Sequence, residues 1–303
     1  MSAAPGASRA PSAQSGAVPY LLRLLLVALA VLLAGCGGDA APPGATGPGE
    51  TAPAETEPLE TAAEQDPRVV RVYLMRGETI GVVSRSVDAG PAIGRAALEA
   101  LLQGPSEEER ALGFASEIPA GTELLDLAID DAGHAVVDLS GAFESGGGTL
   151  SMTGRVAQVV YTLTQFPTVD SVSFRIDGED VEAIGGEGIL ATDLNRADFE
   201  TVTPAILVES PAPRERVASP LRIQGTANTF EANFRVEVED AGGRTVVDTF
   251  VTATSGSGER GTFDATFELP DAERGPGVLR VFEESAADGS VQNLVEIPIE
   301  LAP

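Results

Sequence analysis

Residues 149–178 read TLSMTGRVAQVVYTLTQFPTVDSVSFRIDG, and the change of period inside that stretch decides the fold class. Met152, Val156, Val159, Val160, Leu163 and Phe166 recur at helical spacing on one face. Arg155, Gln158, Thr162 and Gln165 fall on the opposite, polar face, so the pattern predicts an amphipathic helix between Thr149 and Phe166. Val172, Phe174 and Ile176 then alternate with Ser171, Ser173 and Arg175, the pattern of a half-buried strand, and Asp177-Gly178 supplies its turn.

Towards the N-terminus, residues 69–74 are rich in β-branched and aromatic side chains and predict a strand, with a second over 80–87. Asp88 precedes Pro91, a good first-turn residue, and Ile93, Ala97 and Leu101 recur at helical spacing until Gly104-Pro105 stops them. Residues 122–129 and 135–139 read as paired strands joined by Asp130-Asp131-Ala132-Gly133. Strands with two main helices make one α+β (α/β) module over 68–200.

Beyond residue 200 the helical period disappears. Phe234, Val236 and Val238 alternate with Arg235, Glu237 and Glu239. The same alternation recurs through Phe263, Ala265, Phe267 and Leu269, and through Val295, Ile297, Ile299 and Leu301. With further strands near 205–208, 221–227, 245–251 and 278–284, about seven short strands predict an all-β immunoglobulin-like sandwich over 201–303. Pro298 has no donor for a ladder, so the last strand is expected at an edge or with that position turned outward.

The composition excludes several functions. Among 303 residues stand 46 acids and 19 basic residues, all Arg, for a net charge of -27, which argues against a nucleic-acid partner. One Cys and one His leave neither a disulfide framework nor a Cys/His zinc site. The acids are spread over all segments, so no acidic partner surface stands out, and the reading is a solvated coat.

The N-terminus reads as an address and an anchor. Residues 1–23 carry Arg9 and Arg23 and no acid, and residues 24–34 are an unbroken apolar run. Those eleven residues are fewer than the roughly 20 a spanning helix needs, and they fit the h-region of a secretory signal. Leu33-Ala34-Gly35-Cys36 resembles the bacterial lipobox. The resemblance implies a signal peptide over 1–35, cleavage between Gly35 and Cys36, and a lipid anchor on the Cys36 thiol. Residues 37–67 hold six Pro, five Gly, seven acids and one large aliphatic, Leu59, so 36–67 are expected to be a disordered tether. The rest of the chain is then expected on the extracytoplasmic side of the cell membrane.

Both modules also carry family marks. Residues 98–105 (LEALLQGP), 118–122 (IPAGT), 137–140 (VDLS), 160–167 (VYTLTQFP) and 176–178 (IDG) resemble the GerMN domain of spore-germination and other envelope lipoproteins. That resemblance implies a role in protein assembly and no known catalysis. Ser210-Pro211, Val217, Pro220, Ile223, residues 225–228 (GTAN), 230–232 (FEA), 261–263 (GTF) and 281–290 (VFEESAADGS) resemble the Gmad-type immunoglobulin-like domain of spore-germination proteins. This second family implies architecture and compartment, with no established reaction.

Local clusters favour plain readings. His134, beside the Gly133 turn, reads as a turn-flanking polar residue more than as a general base or metal ligand. Asp130-Asp131-Ala132-Gly133 fails the calcium-loop pattern, and Glu283, Glu284, Ser285 and Asp288 read as a strand end with its turn more than as a calcium site. Gly146-Gly147-Gly148 lacks the ending of a phosphate loop and reads as a connection. Ser140 is a plausible helix N-cap, with Glu144 in the first turn. No catalytic, metal or cofactor residue is assigned.

The expected function is a non-catalytic, membrane-anchored lipoprotein that assembles other envelope proteins, with the α/β module as the assembly surface, the sandwich as a second docking or spacing domain, and the partner-binding residues unknown. The alternative is a wall-glycan or small-ligand binding accessory. Each buried CH₂ of an acyl chain contributes about 0.8 kcal/mol to anchorage. Cys36→Ala is therefore expected to release the protein from membranes or stall its processing, read by fractionation and mature mass. A variant that stays in the membrane fraction in the same mature form would contradict the anchor.

Overall fold

The chain divides into two units, Met1–Glu60 and Thr61–Pro303. The computed structural model describes residues 67–88, 90 and 92–302, all within the second. The signal segment, Cys36 and the tether through Asp66 lie outside the described residues, as does Pro91.

The first module runs β1 (Arg68–Arg76), β2 (Thr79–Val87), α1 (Ile93–Leu102), α2 (Glu107–Ala111), β3 (Phe114–Ala115), β4 (Leu124–Ile129), β5 (His134–Leu139), α3 (Thr149–Leu163) and β6 (Ser171–Ile176). Short strands β7 (Glu179–Asp180), β8 (Ala183–Ile184) and β9 (Ile189–Leu190) complete it. One sheet has the order β2-β1-β3 and another β4-β5-β6-β7, with β5 and β6 parallel. The β1–β2 hairpin pairs Val72 with Val83, and the β4–β5 hairpin closes on Asp130, whose carboxylate accepts the amides of Ala132 and His134 at 2.9 Å. The capping box of α2, Ser106 with Glu109, is readable in the sequence yet was no part of the expectation.

The expected helix forms, but ends at Leu163. Its polar face is not solvated: Arg155, Gln158 and Thr162 are as buried as Val156, Val160 and Leu163. The reason lies in β1. Between Arg71 and Tyr73 that strand has a partner on the β2 side only, because β3 pairs only with Met75 and Arg76. The helix supplies the missing partner. The Gln165 amide accepts from Arg71 N at 2.8 Å and donates to Arg71 O at 2.7 Å. Thr162 Oγ1 accepts from Tyr73 N, and Gln158 Nε2 donates to Tyr73 O, both at 3.3 Å. Residues seven apart along two helical turns thus stand in for a strand edge. Arg155, one turn earlier, donates to the carbonyls of Glu117, Phe143, Ser145 and Gly146.

The second module comprises β10 (Ile206–Ser210), β11 (Arg216–Val217), β12 (Leu221–Ala227), β13 (Asn233–Glu239), β14 (Thr245–Thr252), β15 (Gly261–Phe267), β16 (Gly275–Glu284) and β17 (Val291–Leu301). They form a sandwich of a three-stranded sheet, β10-β12-β15, and a five-stranded sheet, β11-β17-β16-β13-β14. Phe234, Val236, Val238, Leu279, Val281, Ile297 and Ile299 fill its core, where Phe234 meets Phe263 edge-on at 4.9 Å. The last strand is not an edge strand. Pro298 O accepts from Arg214 N at 2.6 Å on the β11 side, so the imide nitrogen of Pro298 also turns away from β16, where no donor is needed.

Strand β10 belongs to both cores. Leu207 joins the buried cluster of the first module, whereas Ile206 and Val208 join that of the sandwich. The two-residue period of a strand sends neighbouring side chains to opposite faces, and each face here meets a different core.

Replacing Gln158 by Leu would orphan Tyr73 O and Glu117 N, whose amide donates to Gln158 Oε1 at 2.8 Å. A buried unsatisfied backbone group costs about 1–3 kcal/mol. Denaturant unfolding of Gln158→Leu is expected to show a loss of that order; a variant within about 0.5 kcal/mol of the parent would show that the helix does not serve as the edge of β1.

Candidate functional site

Most of the unusual side-chain chemistry of the described residues lies where the two modules meet. The α3 ladder holds β1 against the helix, and this brings Tyr73 and Tyr161 together with ring centroids 5.4 Å apart. Both are buried. Arg196, at the start of a 3₁₀ segment (Arg196–Val202) capped by Asn195 and Asp198, lays its guanidinium 5.1 Å from the Tyr73 ring and 4.7 Å from the Tyr161 ring. From there it reaches across to β10, where Nη1 meets Glu209 Oε1 at 2.7 Å. The Tyr73 hydroxyl donates to the same carboxylate oxygen and accepts from Arg196 Nη2 at 3.0 Å. Tyr161 OH bonds Thr203 Oγ1 at 2.7 Å.

Burial and neighbouring charge shift Tyr73, Tyr161 and Arg196 in the same direction. Burial, reinforced by the Glu209 carboxylate, raises the Tyr73 phenol far above its usual range, and burial raises Tyr161 as well. For Arg196, burial opposes the charge, but Tyr73 and Glu209 outweigh it and hold its pKa above the ordinary value. Neither phenol is a base at neutral pH, and the guanidinium stays charged. The arrangement ties β1, α3 and β10 together through one charged pair.

Further ties surround it. Arg71 pairs with Glu215 at 2.8 Å, Arg214 with Glu108 at 2.6 Å, and Arg76 Nη1 donates to Glu296 O at 3.0 Å. Arg260 grips Glu200 through Nε at 2.8 Å and Nη2 at 3.0 Å, and donates to Pro204 O at 2.9 Å. Burial works to raise Glu200, yet the hydrogen bonds from Arg260 and Asn228 win and hold it below the usual carboxylate value. Beside the clamp lies a cavity of about 530 Å³, walled by Phe114, Ile80, Ile206, Val208, Pro213 and Leu294 among others. Arg76 lies over the Phe114 ring at 5.7 Å at its rim.

The residues weighed in the sequence lie elsewhere. His134 Nε2 bonds Ser173 Oγ at 2.7 Å, with Asp193 Oδ1 at 3.6 Å, at the edge of the parallel β5–β6 pair. Ser140 does not cap with its side chain: its hydroxyl accepts from Glu123 N at 2.9 Å, and the first amide of the following 3₁₀ turn (Gly141–Glu144) donates to Asp177 Oδ1 at 3.0 Å instead. Glu144 instead accepts from Gly185 N at 2.7 Å. Gly146 turns its carbonyl to Arg155, away from an anion-binding role. Glu283 accepts from Phe230 N at 2.8 Å, Glu284 pairs with Arg235, and Asp288 accepts from Ser290, so these oxygens serve separate partners. Among the described residues no group of three or more His, Cys, Asp or Glu side chains is placed to hold a metal ion.

Comparison with known proteins matches each module separately. Residues 71–182 match the Germane family, described as sporulation and spore germination, and residues 205–290 match Gmad2, the immunoglobulin-like domain of bacterial spore germination. The first module is thus similar to Germane domains and the second to Gmad2 domains. The first GerMN domain of the Bacillus subtilis sporulation protein GerM is 26% identical, over 43% of this chain and 98% of that one, at a TM-score of 0.35. The tandem GerMN domains of the same protein are 16% identical over 68% of this chain and 62% of theirs, at 0.38. A candidate lipoprotein from Clostridium perfringens is 21% identical over 45% and 93%, at 0.33. No curated protein matches the chain.

The clamp residues Arg196 and Glu209 were not singled out in the sequence. Arg196 lies inside a readable capping pair, Asn195 and Asp198, but nothing local links it to Tyr73, 123 positions away. In the Germane–Gmad2 pair, the Arg196–Glu209 bridge is about three-quarters shielded from water. Removing one partner of a shielded pair leaves the other uncompensated. Arg196→Met is therefore expected to cost about 2–3 kcal/mol and to speed amide exchange along β10. Arg222→Met, which breaks the exposed Arg222–Asp264 pair, is expected to leave stability unchanged within the error of the measurement. Equal effects of the two substitutions would remove the special weight given to the clamp.

Proposed function

We propose that this chain is a non-catalytic lipoprotein, anchored to the cell membrane through Cys36 on the extracytoplasmic side, that mediates protein assembly at the envelope. The observation that carries the reading is the joint. Tyr73, Tyr161, Arg196 and Glu209 tie a Germane domain to a Gmad2 domain, and β10 is buried against both cores. A polar cluster spent on fixing the orientation of two modules suits a scaffold that presents two surfaces at a set angle.

The family descriptions support the sporulation and germination setting, and the Leu33-Ala34-Gly35-Cys36 pattern supports the anchor. Among the described residues no helix is long and apolar enough to cross a membrane. The cavity favours a second reading, in which the joint takes a wall-glycan fragment or another small ligand. Its only aromatic wall, Phe114, is already covered by Arg76, which leaves no free ring for a sugar face.

Photo-reactive residues at the exposed Leu125, Leu190, Phe230, Phe250 and Leu294 of the full-length, membrane-bound protein would test the assembly role. Reproducible protein adducts at one or more of them are the expected result. Glycan adducts alone would transfer support to the ligand reading, and adducts at none of the five positions under any growth condition would end the scaffold reading.

A further inference from the structure

The outer face of the five-stranded sheet carries two exposed apolar side chains, Phe250 and Leu294, on either side of a covered one, Phe282. Phe234, Val236 and Val238 point into the core, so Arg235 points outward, in register with Phe250 of β14 on one side and Phe282 of β16 on the other. Val281 and Val295 are a paired, inward couple, which turns Phe282 and Leu294 outward on adjacent strands. The row Phe250, Arg235, Phe282, Leu294 thus crosses four strands, roughly 14 Å at the usual strand spacing. Its centre is closed, with Phe282 5% exposed and the Arg235 guanidinium 5.6 Å from the Phe250 ring, whereas the outer edge of Phe250 (58% exposed), Leu294 (49%) and the nearby Val291 (54%) stay open to solvent. At the Leu294 end the row runs into the cavity at the joint, which Leu294 also lines.

Charge around the row has one sign to spare. Arg235 is held by Asp248 at 2.7 Å, Glu284 at 2.5 Å and Glu237 at 3.7 Å. Arg280 is held by Glu239 and Glu296, both at 2.8 Å. Five carboxylates therefore share two guanidiniums, and both cations of the face are already engaged. Hydrogen bonds donated to these carboxylates keep both guanidiniums charged, so five carboxylates against two cations leave a surplus of negative charge on the face.

We infer that this face docks a basic segment of a partner protein, whose apolar side chains cover Phe250 and Leu294 while its Lys or Arg side chains meet Asp248, Glu284 and Glu296. The inference rests on the proposed assembly role and gives it a surface. Charge selects the occupant. A second copy of this chain would bring the same acidic face on a molecule of net charge -27, and an anionic lipid surface would be repelled in the same way. The placement moves the contact from the α/β module, expected as the assembly surface, to the sandwich, expected as a second docking or spacing domain.

The composition offers a clean test. All basic residues are Arg, so a zero-length carbodiimide, which joins carboxylates to amines, has no Lys within the chain or on a second copy to couple with. Treating membranes that carry the full-length protein is expected to link Asp248, Glu284 or Glu296 to Lys residues of one basic segment, read by peptide mass spectrometry. Phe250→Ser with Leu294→Ser is expected to cut that yield at least tenfold with no change in thermal melting, since both side chains are exposed. A synthetic peptide of the linked segment is then expected to bind the full-length protein with affinity that falls as salt rises, and to lose it in the double variant. Adducts through carboxylates of the Germane domain that survive the double substitution would overturn this face while keeping the assembly role. Adducts to an acidic segment would overturn the charge argument, and no protein adducts at all would overturn both.

Discussion

The unpaired edge of β1 between Arg71 and Tyr73 is the constraint on which the rest of the first module depends. Backbone donors and acceptors taken out of water need partners, and no strand is available there. Helix α3 answers with Gln158, Thr162 and Gln165, whose side chains bond the main chain of the strand. That solution draws the helix close enough for its polar face to be buried and sets Tyr73 beside Tyr161. The aromatic pair is in turn the seat on which Arg196 rests.

From this seat the effect passes to the second module. Arg196 turns its remaining donors to Glu209 on β10, while the neighbours Ile206, Leu207 and Val208 alternate between two cores. A rotation of the sandwich against the first module would break a largely shielded ion pair and expose apolar area on one face of β10. Each step costs kilocalories, so the modules behave as one body. Rigidity of this kind leaves the outward face of the five-stranded sheet at a set direction from the Germane domain.

Much of the secondary structure was legible because period is a local property. The alternation in residues 234–238 and 295–301 marks strands whatever surrounds them, and Asp177-Gly178, with φ of 49° and 84°, makes the turn its residue types announce. The helix from Thr149 was legible for the same reason, but the fate of its polar face was not. A Gln, Thr and Gln at helical spacing look alike whether they meet water or an orphaned strand, since only the partner differs. Ser140 shows the same limit: an N-cap residue type stands in the right place, and its hydroxyl is taken by Glu123, which follows the turn that leads into β4.

By itself the amino-acid sequence determined the class of each module, the elements within them, the excess of acid and the absence of any Cys/His cluster, because these follow from composition and short-range period. It also carried the marks of both families in separate short blocks. Only the tertiary structure decided that Arg155, Gln158 and Thr162 are interior, that β17 with its Pro298 is not an edge strand, and that Tyr73, Arg196 and Glu209 form one clamp. The clamp depends on groups brought together from more than a hundred positions apart. A pattern of a few residues cannot specify which backbone edge will be left open, and it is that open edge, once buried, that selects its own partners.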